Sequence, residues 1–126
     1  MISGIGTDLV FIPRIQQMLD KFGDKAAQKI LSKQEFTDFK LASRPVAFLA
    51  KRFAAKEATA KAFGCGFSAG LSLKHISVVN DALGKPQLNF SDKATELVAQ
   101  KAIVASHLSL SDDGDYASAY VILTER

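Results

Sequence analysis

Two acidic residues and one lysine stand out as candidates for chemistry. Glu57 and Lys61 are four residues apart in a segment with a strong helical pattern, so both side chains emerge on one helix face, one turn apart. Asp8 lies near the end of an apolar strand predicted within residues 2–10. A carboxylate there is costly to bury unless a cation or hydrogen bonds compensate it. Taken alone, Glu57 and Lys61 are ordinarily explained as an exposed ion pair that contributes about 0.3–0.5 kcal/mol. Asp8 alone is ordinarily explained as a turn or N-cap aspartate.

Together, the three residues predict a site for a metal ion and a phosphate group. Mg²⁺ is usually held by one or two carboxylates, with water and phosphate oxygens as its other ligands. Asp8 and Glu57 would supply the carboxylates, and the ammonium of Lys61 would neutralise a pyrophosphate beside the metal. The glycine-bearing loop 64–70 offers backbone amides for the same anion, although it contains no Walker sequence and follows a helix instead of preceding one.

The helix that must carry Glu57 is the strongest local signal. Residues 45–63 are rich in alanine and other helix formers, and Gly64 follows as a helix stop. We expect this to be the longest helix, with its alanines allowing neighbouring elements to approach closely. Residues 2–10 predict a buried strand that ends near Asp8, so that its carboxylate lies at or just beyond the strand end.

The remaining pattern predicts an α+β fold. Three shorter helices precede the long one, and the third opens with a capping box of Ser32 and Glu35. From Leu71 onward the residues become β-branched and alternating. The elements predicted there are a hairpin of 76–80 with 87–90, a helix after Ser91, and strands 103–110 and 116–124 joined by a polar turn at 112–115. We expect helices mainly in the first half, with the long central one packed on a mostly antiparallel sheet.

Composition indicates one small domain, residues 1–126. A chain of 126 residues with 48% hydrophobic content can bury one core but has no room for two. No segment approaches the roughly 20 consecutive apolar residues that span a bilayer, and the N-terminus lacks the features of a signal peptide. We therefore expect a cytoplasmic protein that does not contact membranes, with the single cysteine, Cys65, as a packing residue.

The charge is mild overall but unevenly distributed. The formal net charge of +3 does not demand a nucleic-acid partner. Basic residues are concentrated between Arg14 and Lys61, whereas the chain beyond Asp81 is nearly balanced. This asymmetry indicates either a surface that meets an acidic partner or an ordinary solvated helix face.

Two segments of the sequence resemble a known family. Residues 4–15, GIGTDLVFIPRI, and residues 48–64, FLAKRFAAKEATAKAFG, look like the two signature segments of holo-acyl-carrier-protein synthase, the small bacterial phosphopantetheinyl transferase. Similarity at 83–86 and 107–122 extends the resemblance over essentially the whole chain. The resemblance implies transfer of the 4′-phosphopantetheine arm of coenzyme A to a serine of apo-acyl carrier protein, with release of adenosine 3′,5′-bisphosphate, in support of fatty acid biosynthesis.

The resemblance implies roles for individual site residues. Asp8 and Glu57 would bind Mg²⁺ and act in catalysis with Lys61. Glu57, directly or through a metal-bound water, is the candidate to accept the serine proton. For Lys51 and Arg52, a contact with the phosphoadenosine end and a solvated position on the helix are equally good accounts. The full set of expected coenzyme A contacts is Lys61, Arg52, Gly64 and Gly66.

The resemblance also implies two protein interfaces. Arg14, Met18 and Lys21 look like the family's docking helix, which would place a basic, partly apolar surface against the acidic helix of the carrier protein. The implied assembly is a homotrimer with active sites between neighbouring subunits. The apolar alternation in residues 116–123 offers a packing surface for that assembly.

The chain departs from the family pattern at one position. Where many relatives have a histidine near the end of the penultimate strand, this chain has Asp112. A carboxylate cannot replace a neutral imidazole, so a coenzyme contact made by that histidine is not expected here. His107, at the start of the same strand, matches another recurrent family position, and a packed or hydrogen-bonded role is one of two open alternatives for it.

Two other functions remain open on the sequence. A non-catalytic basic adaptor that binds an acidic protein would explain the charge asymmetry, but it predicts no magnesium requirement. A relaxed-specificity transferase for polyketide or peptide synthetase carriers is the second alternative. Such enzymes are usually about twice this length with an internal duplication, and no duplication is present in the sequence.

Overall fold

The computed structural model describes the whole chain, Met1–Arg126. The helices are α1 (Ile12–Phe22), α2 (Asp24–Ile30), α3 (Lys33–Leu41), α4 (Pro45–Phe63) and α5 (Asp92–Gln100), with a short 3₁₀ helix at Leu73–His75. The strands are β1 (Ile2–Phe11), β2 (Ile76–Asn80), β3 (Pro86–Phe90), β4 (Ile103–Asp113) and β5 (Tyr116–Glu125). None of the helices has both the length and the apolar character that a membrane crossing requires.

The strands form two antiparallel sheets. β5 is the central strand of a three-stranded sheet, with β1 on one side and β4 on the other, and β2 pairs with β3 as a separate hairpin. The long helix α4 packs across β1 and β5, and α1 and α3 lie against it. The predicted α+β fold, with one long central helix on antiparallel strands, is confirmed.

Small side chains bring α4 close to the sheet. Seven alanines of α4 are buried, and the face of β5 that looks at the helix consists of Ala117, Ala119, Val121 and Leu123. Alanine on both surfaces leaves little side-chain volume between helix and strand, so their backbones approach closely. This packing confirms the prediction drawn from the alanine content of residues 45–63.

Two glycines of β1 let the strand backbone touch the helix backbone. A Cβ added to Gly4 would lie 1.9 Å from the carbonyl oxygen of Ala62, and one added to Gly6 would lie 1.8 Å from that of Ala58. No real side chain tolerates such distances, so only glycine fits at either position. Because strand residues alternate between faces, Asp8 follows these glycines on the face that looks at α4.

The strand that carries Asp8 is longer than predicted. β1 continues to Phe11 instead of ending near Asp8, because β5 offers a pairing partner for each position down to Tyr116. Asp8 lies inside the ladder, opposite Ala119. The sheet, and not a turn, therefore sets the direction of its side chain.

β4 also exceeds its predicted length. The strand ends at Asp113, and the turn before β5 contains only Gly114 and Asp115. Asp112 therefore belongs to the ladder, opposite Ala117, and not to the predicted turn. Its side chain is thereby fixed on one face of the sheet.

Buried charges hold the middle of α4 in place. Glu35 and Lys56 are completely buried, and Lys56 Nζ donates to Glu35 Oε1 at 2.7 Å, to the carbonyl of Leu73 at 3.0 Å and to the carbonyl of Ile76. Burial lowers the pKa of Lys56, and the negative charge of Glu35 opposes this effect. Since either charge alone would be costly here, the pair ties α3 and α4 to the segment that leads into β2.

The same carboxylate organises the start of α3 and the position of Arg52. Glu35 accepts hydrogen bonds from the backbone N–H of Ser32 at 3.0 Å and of Val78 at 2.9 Å, and the first of these completes the predicted capping box. The Arg52 Nε lies 3.7 Å from Glu35 Oε2, and its guanidinium lies 4.4 Å from the ring centroid of Phe48. Arg52 is thus held between a buried anion and an aromatic face.

We expect Gly6→Ala to destabilise the fold, because the added methyl group would overlap the carbonyl of Ala58 and push β1 away from α4. The free energy of unfolding, measured by urea denaturation, should fall by about 1–3 kcal/mol or more. Ser3→Ala, at an exposed position of the same strand, is the control and should stay within about 0.5 kcal/mol of the wild type. Equal stability of the two variants would contradict the close packing.

Candidate active site

β1 and α4 bring Asp8 and Lys61 into contact across 53 residues of sequence. Lys61 Nζ lies 3.0 Å from Asp8 Oδ1 and donates a second hydrogen bond to the carbonyl oxygen of Thr7 at 2.9 Å. The Asp8 side chain is 18% exposed, whereas that of Lys61 is 54% exposed. The strand therefore fixes the carboxylate, while the ammonium group stays open to an anionic ligand from solvent.

Glu57 completes the cluster one helical turn before Lys61, on the same face of α4. Burial raises the pKa of Glu57 above its ordinary value, the negative charge of Asp8 raises it further, and the positive charge of Lys61 partly opposes both effects. Asp8 is therefore near enough to Glu57 to disfavour a second negative charge. The structure thus brings together the three residues that the sequence singled out.

The donor set of this cluster suits Mg²⁺. Asp8 and Glu57 are two carboxylates without a third acidic, histidine or cysteine side chain in the group. A protein commonly supplies one or two carboxylate ligands to Mg²⁺, and water and phosphate oxygens complete the coordination. A divalent cation would also offset the negative charge of Asp8, which adds to the effect of burial in raising the pKa of Glu57. The cluster therefore fits a magnesium ion that binds together with a phosphate-bearing substrate.

The glycines after α4 end the helix. Gly64 adopts the left-handed conformation, with φ of 86°, and donates its N–H to the carbonyls of Ala60 and Lys61. The N–H of Gly66 also reaches the carbonyl of Ala60, at 3.3 Å. These amides satisfy the last carbonyl groups of the helix, at the negative end of its dipole. These two N–H groups are therefore occupied within the helix end, and contact of Gly64 and Gly66 with coenzyme A stays a prediction.

The three residues expected to dock a carrier protein share one face of α1. Arg14 and Lys21 are exposed, and Met18, which lies between them at helical spacing, is partly buried. The face therefore combines two cations with an apolar contact.

A groove with an apolar floor and a basic rim continues this face. Its volume is about 420 Å³, and its lining includes Met18, Phe22, Lys25, Lys29, Ile30 and Phe53. Phe53 lies one helical turn before Glu57 on the same side of α4. The groove therefore adjoins the carboxylate cluster.

Arg52 does not join the carboxylate cluster. It precedes Lys61 by nine residues, about two and a half helical turns, so the two side chains leave opposite sides of α4. Arg52 is only 5% exposed, and with Arg44 and Lys51 it lines a cleft of about 560 Å³. The other walls of this cleft include Leu41, Phe48, Gly84, Pro86 and Leu110. The interpretation of Arg52 as an ordinary solvated residue is therefore wrong.

Asp112 reaches the mouth of this cleft from β4. Its Oδ2 lies 3.4 Å from Nη1 of Arg44, and its Oδ1 lies 3.5 Å from Nζ of Lys51. Sequence reasoning missed this contact because it assigned Asp112 to the turn. The available signal was alternation with Leu110, which places both side chains on the same face of the strand. His107 lies on the opposite face and is exposed, so the packed alternative does not hold within a single subunit.

Known proteins place this arrangement in a family. The profile described as the 4′-phosphopantetheinyl transferase superfamily matches residues 4–121. The chain is 49% identical to the holo-[acyl-carrier-protein] synthase of Hamiltonella defensa subsp. Acyrthosiphon pisum, over 97% of each chain. The chain belongs to the holo-[acyl-carrier-protein] synthase family. The resemblance carried by residues 4–15 and 48–64 is thus confirmed.

Solved structures of holo-[acyl-carrier-protein] synthases have the same fold. The enzyme from Neisseria meningitidis is 42% identical and superimposes with a TM-score of 0.94, over 99% of this chain and 100% of that one. The enzyme from Bacillus anthracis, in complex with CoA (3′,5′-ADP), is 39% identical with a TM-score of 0.83, over 100% of this chain and 99% of that one. The two-sheet architecture around α4 is therefore the architecture of this synthase family.

We expect Glu57→Gln to keep or slightly raise the melting temperature at pH 7–8 in the presence of a chelator. The pKa of Glu57 is raised in the folded state, so its charged form opposes folding at pH values above that pKa. The difference from wild type should disappear as the pH falls below the ordinary glutamate range, where Glu57 is protonated in both states. Thermal unfolding measured across pH tests this, and a variant less stable than wild type at pH 8 would contradict it.

Proposed function

We propose that Asp8, Glu57 and Lys61 form the catalytic centre of a holo-[acyl-carrier-protein] synthase. Membership of this family indicates transfer of the 4′-phosphopantetheine arm of coenzyme A to a serine of apo-acyl carrier protein. The other product is adenosine 3′,5′-bisphosphate, and the reaction supports fatty acid biosynthesis. The observation that carries the proposal is the convergence of two carboxylates and an exposed lysine between β1 and α4.

Each residue has a distinct role as the serine hydroxyl attacks the β-phosphorus in line. Glu57, directly or through a water molecule, accepts the serine proton, because it is the carboxylate that lies one helical turn from Lys61 in the cluster. Lys61 neutralises the negative charge that develops on the leaving bisphosphate. Asp8 holds Lys61 in the site before substrate arrives, through the 3.0 Å ion pair.

Asp8 and Glu57 would also hold Mg²⁺. The ion, when bound, neutralises charge on the pyrophosphate and so lowers the barrier to attack by the serine oxygen. Asp8 lies on a paired strand and Glu57 on a packed helix, so both carboxylates are positioned by rigid elements. The exposed ammonium of Lys61 is free to turn from Asp8 to the phosphates.

We place the carrier protein on α1 and the groove beside it. Arg14, Lys21 and the rim lysines would face the acidic helix of the carrier, while Met18 and Phe53 would receive its apolar side chains. Because Phe53 lies one turn from Glu57, a partner seated in the groove brings its serine next to the carboxylates.

We propose that coenzyme A spans two subunits of a homotrimer. Its pyrophosphate would lie at Lys61, and its phosphoadenosine end would lie in the cleft lined by Arg44, Lys51 and Arg52. These two places lie on opposite sides of α4, which supports contributions from neighbouring copies. The complex of the Bacillus anthracis relative with CoA (3′,5′-ADP) supports the choice of ligand.

The outer face of the three-stranded sheet offers a surface for that assembly. Ile5, Leu9 and Tyr120 point away from α4, and each is more than half exposed. Phe11 and Tyr116 pack against each other at the end of the same face, with ring centroids 5.4 Å apart and ring planes tilted by 46°. Exposed apolar side chains grouped on one face in this way are typical of a subunit interface.

Transfer is tested by mixing the protein with coenzyme A, apo-acyl carrier protein and Mg²⁺, and weighing the carrier by mass spectrometry. We expect a mass gain of one phosphopantetheine group, which is lost with chelator and restored by added Mg²⁺. Glu57→Gln should slow transfer by at least about 100-fold. No mass gain under any condition would favour the basic adaptor, and a gain that persists in chelator would contradict the magnesium requirement.

Carriers of polyketide and peptide synthetases in parallel reactions test the relaxed-specificity alternative.

We expect Arg14→Glu to raise KM for the carrier about five- to tenfold and to leave KM for coenzyme A unchanged, because it reverses a charge at the docking face only. Lys101→Glu, an equal charge change at an exposed position beyond α5, is the control and should leave both constants unchanged. Steady-state kinetics with each substrate varied in turn measures the effect. Equal effects of the two variants on KM would show that overall charge, and not docking on α1, causes the change.

The shared site is tested by mixing Arg44→Glu and Glu57→Gln subunits after dissociation and reassembly. Each variant alone should be nearly inactive at low coenzyme A. In random trimers with sites between subunits, about a quarter of the interfaces contain two intact halves, so about a quarter of wild-type activity should return. No recovery in verified mixed trimers would place the whole site within one chain, and a stable, active monomer in sedimentation would contradict the trimer.

A further inference from the structure

Asp112 is a fixed anion in front of two movable cations. Its backbone pairs with Ala117 in the ladder between β4 and β5, and its side chain is 19% exposed, whereas that of Arg44 is 71% exposed. Both ion pairs are long, at 3.4 Å to Arg44 and 3.5 Å to Lys51. Pairs of this kind hold a surface cation only weakly, so Arg44 and Lys51 can turn to another anion while the carboxylate stays in place.

We propose that Asp112 competes with the 3′-phosphate of coenzyme A for Arg44 and Lys51, and that it thereby speeds release of adenosine 3′,5′-bisphosphate. This inference rests on the proposed function, in which the pyrophosphate lies at Lys61 and the cleft takes the other anionic group of coenzyme A. The incoming phosphate must draw both cations from Asp112 and then remain close to its negative charge. Both effects lower the affinity of the cleft.

A competitor at this position assists turnover because the reaction leaves the 3′-phosphate unchanged. Transfer breaks the pyrophosphate linkage, but the bisphosphate product keeps the group that the cleft binds in coenzyme A. Contacts that are equal in substrate and product retard product release without helping the chemical step. Asp38, the carboxylate in the lining of the cleft, accepts a hydrogen bond from Gln34, and its charge acts on the pKa of Arg52. Asp112 is therefore the carboxylate that acts on these cations.

Calorimetric titration of Asp112→Asn with coenzyme A, adenosine 3′,5′-bisphosphate and 3′-dephospho-coenzyme A tests the proposal. We expect the variant to bind the first two ligands about three- to tenfold more tightly than wild type, and the third unchanged. The gain should shrink as salt is raised. Inhibition of transfer by the bisphosphate product should strengthen by the same factor. Asp113→Asn, the same charge change at the exposed neighbour, should shift all three affinities less than about twofold.

Unchanged or weaker binding of coenzyme A by Asp112→Asn would overturn the proposal, since Asp112 would then be inert or would position the two cations. An equal gain with 3′-dephospho-coenzyme A would overturn it as well, because the effect would not concern the 3′-phosphate. A different result would reject the proposed function itself: a wild-type protein that neither binds coenzyme A nor modifies the carrier. Normal modification of the carrier together with unaltered affinity in the variant would reject the competitor alone.

Discussion

The backbone contact between β1 and α4 determines where the reactive side chains lie. Gly4 and Gly6 leave no side-chain atoms between the strand and the carbonyl groups of Ala58 and Ala62. At this short separation Asp8, two residues further along the same face, meets the ammonium of Lys61. A larger residue in place of either glycine would widen the gap, and an aspartate side chain is too short to bridge it. The position of Asp8 beside Lys61 therefore depends on the absence of side chains at Gly4 and Gly6.

The buried charges fix the other variable, which is the rotation of α4 about its axis. Lys56 and Arg52 both point to Glu35, so one side of the helix is committed to the interior between α3 and β2. Once that side is fixed, the helical repeat directs Glu57 and Lys61 to the opposite surface beside α1. If α4 were entirely apolar, several rotations about its axis would bury a similar apolar area. Only one rotation lets Lys56 make all of its hydrogen bonds.

Local periodicity was sufficient for the parts of the site that lie within one element. The spacing of Glu57 and Lys61 placed both on one helix face, and Ser32 with Glu35 marked the start of α3, because these relations span four residues or fewer. The lysines of α4 look alike in sequence, however, and the burial of Lys56 depends on an acid 21 residues earlier. The extent of β1 beyond Asp8 depended in the same way on pairing with β5, at the other end of the chain.

α4 separates two surfaces of different chemistry, and this separation constrains how the enzyme can work. One side carries the carboxylates and the groove beside α1, and the other carries the cationic cleft that Asp112 faces. Under the proposed function, affinity for the phosphoadenosine end and chemistry at the pyrophosphate would thus depend on different faces of one helix. A substitution in the cleft can alter binding without moving the carboxylates, because the buried cluster at Glu35 lies between them. Under the proposed function, this separation would let Asp112 alter the retention of ligand through Arg44 and Lys51 while the catalytic centre stays intact.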